Sequence, residues 1–151
     1  MRPSRDQVLM QTAFIWAERS TCSRLHVGCV LSRSGRMLVQ GYNGAPAGLP
    51  HCRDNRQEGT GIPVIHTTEQ CQAAHAEQNA ISWAGRVGVT LFYSEMHCTH
   101  QPCASCARSI INAGIIKVTY VEPYRLTQGL ELMKAAGIEV CQMVDFSIPK
   151  R

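Results

Sequence analysis

Four side chains in two short stretches can do chemistry together: His75 and Glu77 in His75-Ala76-Glu77, and Cys103 and Cys106 in Pro102-Cys103-Ala104-Ser105-Cys106. One imidazole and two thiolates give zinc three ligands and leave a fourth tetrahedral position for water, whose pKa the metal can lower to about 7. Glu77, two residues past the histidine, points differently from the ligand and is free to handle protons. A structural zinc knot could use the Cys-x-x-Cys pair, but it would close with a fourth protein ligand and would have no use for that carboxylate. The pattern reads as a zinc hydrolase.

The elements that must hold these residues follow from spacing. Cys103 and Cys106 lie three apart and so share one face of a helix start. A helix N-terminus favours the thiolate form, and Pro102 fits at or just before the first helical position. His75 opens a second helix over residues 75–84, with Gly85 beyond it. Apolar positions Val8, Leu9, Ala13, Ile15 and Trp16 predict a packing helix over residues 6–19, capped by Ser4 or Asp6. Residues 27–32 and 37–42 read as a hairpin joined by Arg33-Ser34-Gly35-Arg36. Further along come a strand at 90–94, a helix at 103–113 with Gly114 as its cap, a strand at 117–121, a helix at 130–136 and a strand at 139–144. Alternating strand and helix implies right-handed parallel crossovers, whereas the first two strands pair antiparallel. The expected fold is α/β, in three layers (α/β/α), a mixed five-stranded sheet with helices on both faces.

Bulk properties bound the function. A chain of 151 residues fits a single catalytic domain, residues 1–151. Apolar residues at 44% and charged residues at 17% describe an ordinary globular protein. A net charge of +4 suits a small anionic ligand and falls short of the dense basic face of a nucleic-acid binder. No apolar run approaches a membrane span, and no export signal precedes the domain, so a soluble, cytoplasmic protein without membrane partners is expected. In that compartment eight cysteines read as thiols and metal ligands. Cys29 and Cys141 suit packing in apolar strands and Cys98 reads as a further packing or spare thiol, while His97 and His100 flank the catalytic loop as wall contacts. The stretch at about 44–74 is long for an unpinned loop; it contains His51, Cys52, His66 and Cys71.

At these residues the chain resembles the deoxycytidylate (dCMP) deaminases of the cytidine deaminase superfamily, over nearly its whole length. The resemblance is carried by Cys22-Ser23-Arg24 with Val27-Gly28, by Gly41-Tyr42-Asn43-Gly44-Ala45-Pro46-Ala47-Gly48, by the segment from His75 to Ile81, by Pro102 to Cys106 with Ile110 and Gly114-Ile115, and by Tyr124-Arg125. His-x-Glu with Pro-Cys-x-x-Cys is the signature of zinc nucleobase deaminases. The reaction this implies has Glu77 take a proton from the attacking water, hydroxide add to C4 of a cytosine ring, and Glu77 deliver protons to N3 and to the departing amine. The resemblance further implies that Asn43 holds the deoxyribose 3′-hydroxyl, that Arg24 and Arg125 face the 5′-phosphate, that Tyr124 packs near base and sugar, and that Ala76 contributes to substrate binding. Arginine forks suit phosphate oxygens.

By the same resemblance, Cys22, Cys52, His66 and Cys71 are candidate ligands of a second, structural zinc, with His51 able to replace one of them. Such a site would offset the entropy of ordering the loop. Arg86 matches a position linked to subunit contacts and to regulation by dCTP and dTTP, with magnesium accompanying the triphosphates, in a family with many hexamers. The implied role is supply of dUMP for thymidylate synthesis, in a host cytoplasm if the chain is phage-encoded. Two competing readings are a tRNA or other nucleic-acid deaminase, which would need a basic face, and a zinc-stabilised binding module without activity.

Overall fold

The computed structural model describes residues 2–52 and 71–147. Helix α1 (Arg5–Ala17) starts at Ser4, which forms a reciprocal capping box: Gln7 N–H donates to Ser4 Oγ at 3.1 Å and Ser4 N–H donates to Gln7 Oε1 at 2.8 Å. Strands β1 (Gly28–Arg33) and β2 (Arg36–Tyr42) form the expected hairpin. Its two central residues, Ser34 and Gly35, have φ of 53° and 72°, the left-handed pair that matches strand twist in a tight hairpin. Helix α2 (Ala76–Val87), strand β3 (Glu95–His100), helix α3 (Ala104–Asn112), strand β4 (Lys117–Glu122), helix α4 (Gln128–Ala135) and strand β5 (Glu139–Gln142) complete the order.

The sheet runs β2-β1-β3-β4-β5, with β1 antiparallel to β2 and β3, and β3, β4 and β5 parallel. This is the mixed five-stranded sheet expected, with helices on both faces. One face packs Cys29, Leu31, Met96, Cys98 and Val118 against Ala76, Ala80 and Ala84 of α2, Ala107 and Ile110 of α3 and Met133 of α4. The other packs Val30 against Leu9, Met10 and Ala13 of α1, with Phe14 stacked on Phe146 at 5.3 Å between ring centroids. Fully burying a side chain such as Leu31 or Met133 contributes about 1.5–3 kcal/mol.

Glycines set how closely the helices approach. A Cβ at Gly41 would run into the Ala76 carbonyl oxygen and the Ala80 backbone nitrogen, so β2 holds the first turn of α2 against the sheet. A Cβ at Gly129 would strike the Pro102 carbonyl, so α4 sits directly on the loop that presents Cys103.

Two elements differ from the sequence expectation. The strand expected at 90–94 lies at Glu95–His100. Thr90, Phe92 and Tyr93 have strand-forming side chains, but they form a turn: Tyr93 adopts φ of 59°, and Arg33 Nη2 donates to the Thr90 and Phe92 carbonyls at 2.6 and 2.8 Å. The real strand escapes the alternation test because Met96, His97, Cys98 and Thr99 are all buried, with helices covering both faces. Helix α2 passes through Gly85, expected to stop it, and ends at Gly88, whose φ of 74° is the left-handed cap. A glycine inside a helix costs only about 1 kcal/mol relative to alanine, too little to break one whose inner face is packed.

Candidate active site

His75 is the N-cap of α2, Glu77 lies in its first turn, Cys103 is the N-cap of α3 and Cys106 lies in its first turn. The two helix starts thus converge on one point. His75 Nδ1 lies 3.5 Å from Cys103 Sγ and 3.3 Å from Cys106 Sγ. Among the described residues these three form the one set of His, Cys or carboxylate side chains whose ligand atoms all lie within 4.8 Å of one another. Zinc–nitrogen and zinc–sulfur bonds of about 2.0–2.1 and 2.3 Å at a tetrahedral angle put the two atoms roughly 3.5 Å apart. The donor set therefore fits zinc in both chemistry and spacing. Gln78 ties the two helices: its Oε1 accepts from His75 N–H at 3.3 Å and its Nε2 donates to Ser105 Oγ at 3.4 Å.

The electrostatics suit a cation with a carboxyl group beside it. The two thiols divide one proton between them: a hydrogen bond from Cys106, reinforced by His75, lowers Cys103 to about 3, and the same bond together with burial pushes Cys106 up. A divalent cation stabilises both as thiolates. His75 is raised chiefly by its hydrogen bond to Cys103. Glu77 is 4% exposed, and burial pushes its carboxyl above the usual range, opposed by its backbone hydrogen bond and by His75. Buried nearby are Cys29 and Cys98, opposite one another on β1 and β3, whose thiols burial keeps neutral. They serve as packing residues. Cys141, half-buried on β5, donates to Glu139 Oε1 at 3.4 Å.

A cavity of about 430 Å³ opens over this cluster, a size ordinary for a small-molecule site. Among its lining residues are Arg24, Asn43, Ala76, Glu77, His100 and Tyr124. Asn43 is nearly buried; its Oδ1 accepts from Val27 N–H and its Nδ2 donates to the Leu25 carbonyl, both at 2.8 Å. These bonds order the segment that follows Arg24, and they leave Asn43 one lone pair and one N–H. Arg125 is exposed beside Tyr124 and does not itself line the cavity. Arg86 lies at the far end of α2, its guanidinium 5.7 Å from the centroid of the Trp83 ring, and also stands outside the lining.

The two histidines expected to flank the catalytic loop part company. His100 lines the cavity, its Nδ1 paired with Thr99 Oγ1 at 2.9 Å. Thr99 Oγ1 also accepts from Gly28 N–H at 3.1 Å, which ties the end of β3 to the start of β1. His97 points to the opposite face of the sheet, buried, with Nε2 3.2 Å from Asp6 Oδ1 on α1. Strand alternation separates the two, since they are an odd number of residues apart.

Of the four candidate ligands for a second metal, Cys22 and Cys52 are buried and Cys71 is exposed. Burial, followed by the charges of Cys22 and Cys71, raises the Cys52 pKa. His66 lies outside the described residues. Sequence reasoning missed Gln101, which is buried at the cavity wall and hydrogen-bonded to the loop after β4. Its position directly before Pro102 was the available signal.

The family model for the cytidine and deoxycytidylate deaminase zinc-binding region matches residues 3–122. The chain is 40% identical over 144 residues to ComE operon protein 2 of Bacillus subtilis, covering 94% of this chain and 72% of that protein. It is 37% identical over 153 residues to the deoxycytidylate deaminase of Saccharomyces cerevisiae, covering 94% of this chain and 46% of the yeast protein, so it spans less than half of that relative's length. Among solved structures it is similar to the dCMP deaminase of cyanophage S-TIM5 in complex with dCMP and dUMP, with a TM-score of 0.78, 33% identity, and coverage of 95% of this chain and 99% of that one.

Proposed function

Because the chain belongs to the cytidine and deoxycytidylate deaminase family, we propose that it catalyses the zinc-dependent hydrolytic deamination of dCMP to dUMP and ammonia. The observation that carries this reading is the His75, Cys103 and Cys106 triad at a cavity where Glu77 is the one carboxylate among the described lining residues. When bound by these three side chains, zinc supplies an open position for water and lowers that water's pKa. Glu77 accepts the proton that water releases, then donates to the ring nitrogen N3 and finally to the departing amine. Burial keeps its affinity for the proton high enough to serve both directions. The apolar wall formed by Leu25, Val27 and Ala76 excludes bulk water from the ring. Asn43 offers its spare lone pair and N–H to the sugar hydroxyl, and Arg24 offers its fork to the phosphate.

The choice of dCMP over other cytosine nucleotides and over nucleic acid rests on the likeness to the cyanophage enzyme solved with dCMP and dUMP. Incubation of the purified protein with dCMP, dCTP, cytidine and an adenosine-containing stem-loop tests it. A kcat/KM highest for dCMP is expected, and preference for any other substrate overturns the reading. Cys22, Cys52 and Cys71 serve a second, structural zinc in this reading, with His66 as the fourth ligand. The burial of Cys22 and Cys52 supports it.

A further inference from the structure

The segment 123–126 carries Tyr124 and Arg125 and has no regular structure. All four of its residues are exposed, yet Pro123 and Tyr124 form part of the cavity wall. Exposed backbone of this kind holds a position only where something fixes it. Here the fixing group is a single side chain. Gln101 Oε1 accepts from Tyr124 N–H at 3.1 Å and Gln101 Nε2 donates to the Leu126 carbonyl at 2.8 Å. Among the described residues these are the only hydrogen bonds made by the backbone of 123–126.

Gln101 is itself well anchored. It is 6% exposed, its own N–H donates to the Glu122 carbonyl at 2.8 Å just beyond the paired ends of β3 and β4, and it immediately precedes the Pro102-Cys103 ligand loop. The amide is used at both ends: a carboxylate could replace only the acceptor half, and a hydrocarbon neither. Its two bonds span Tyr124 and Leu126, so Arg125 lies between the two pinned points.

We propose that Gln101 is a positioning residue that holds segment 123–126 at the cavity rim and thereby sets Tyr124 and Arg125 for the substrate. The inference deepens the deaminase reading and rests on it for the identity of the substrate. Among the described residues the hydrogen bonds of Gln101 go to Glu122, Tyr124 and Leu126, and none goes to the ligand sulfurs or to Glu77, so its loss falls on substrate binding and leaves the chemical step to the groups below. The effect on catalysis is read as KM against kcat.

Gln101→Met keeps the length of the side chain and removes both hydrogen bonds. Its KM for dCMP is expected to rise about tenfold, as the loss of one or two net hydrogen bonds would give, while kcat stays within about twofold. Gln101→Glu, which keeps the bond from Tyr124 N–H alone, is expected to fall between. In a Tyr124→Ala, Arg125→Ala background the Gln101→Met effect on KM is expected to vanish, because the side chains it positions are gone. An effect that persists in full in that background, or one that appears in kcat, overturns the proposal. Amide hydrogen exchange gives a readout independent of any substrate: the Tyr124 amide is expected to exchange faster in Gln101→Met, with β3 and β4 unchanged. Unaltered Tyr124 exchange overturns the proposal even if dCMP is the substrate, whereas faster exchange in a protein that ignores dCMP refutes the substrate and leaves the positioning role standing.

Discussion

Glu77→Gln removes one proton-carrying group and almost nothing else. Glutamine has the same shape, so the substitution leaves no void at a side chain only 4% exposed. Among the described residues, the others lining the cavity include no aspartate or glutamate to take over. General acid–base catalysis contributes typically 10²–10⁴-fold, or about 2.7–5.5 kcal/mol of barrier, and Glu77 handles the proton in both directions of transfer. A fall in kcat near the upper end, about 10⁴-fold, is therefore expected. Stability should be unchanged or higher, since burial already opposes the ionised carboxylate. Steady-state loss of absorbance as cytosine becomes uracil measures kcat; zinc content and thermal midpoint are measured on the same sample. A variant retaining a tenth or more of wild-type kcat would refute the assignment of the proton carrier. One that loses its catalytic zinc would instead make Glu77 part of the metal-holding set.

Gly129→Ala places a methyl group against the Pro102 carbonyl and Cys103; it is expected to cost about 1–3 kcal/mol in urea unfolding and to weaken zinc retention, and an unaltered midpoint with full zinc content would show that α4 does not brace the ligand loop. His97 is lowered by burial against the opposing pull of Asp6, with Glu95 and Lys117 nearby. Its folded pKa is below the unfolded value of about 6.5, so the stability it contributes is present above that pH and is lost as pH falls through the folded pKa. His97→Gln should therefore lose less stability than wild type between pH 7 and 5, and parallel curves would contradict this. Metal analysis of active protein is expected to give near two zinc ions per chain, whereas near one would sink the structural site at Cys22, Cys52 and Cys71.

The ligand set was legible because both halves of it are local. A histidine or cysteine at a helix N-cap, with its partner inside the first turn, leaves a signature within a few residues, and so does the Pro102 that precedes it. The β1–β2 hairpin and the parallel β3–β4–β5 half were legible through their turns and intervening helices. What the sequence hid was decided by packing across the chain. Strand β3 carries His97 and Thr99 on its α1 face and Met96 and Cys98 beneath α2 and α3, so burial on both sides erases the alternation by which strands are recognised. Gly85 reads as a stop signal because nothing local reveals that Ala76, Ala80 and Ala84 are already packed. Gln101 draws its meaning from Tyr124 and Leu126, more than twenty residues away. His97 and His100 look equivalent until the pleat sends them to opposite faces.

Turnover of dCMP in water enriched in oxygen-18 tests the central claim most directly. The account predicts dUMP bearing one solvent oxygen at C4 and one ammonia released per dUMP, both lost when zinc is removed and restored when it is returned. Zinc-replete, folded protein that leaves dCMP unchanged, or that forms dUMP without solvent oxygen at C4, would contradict it.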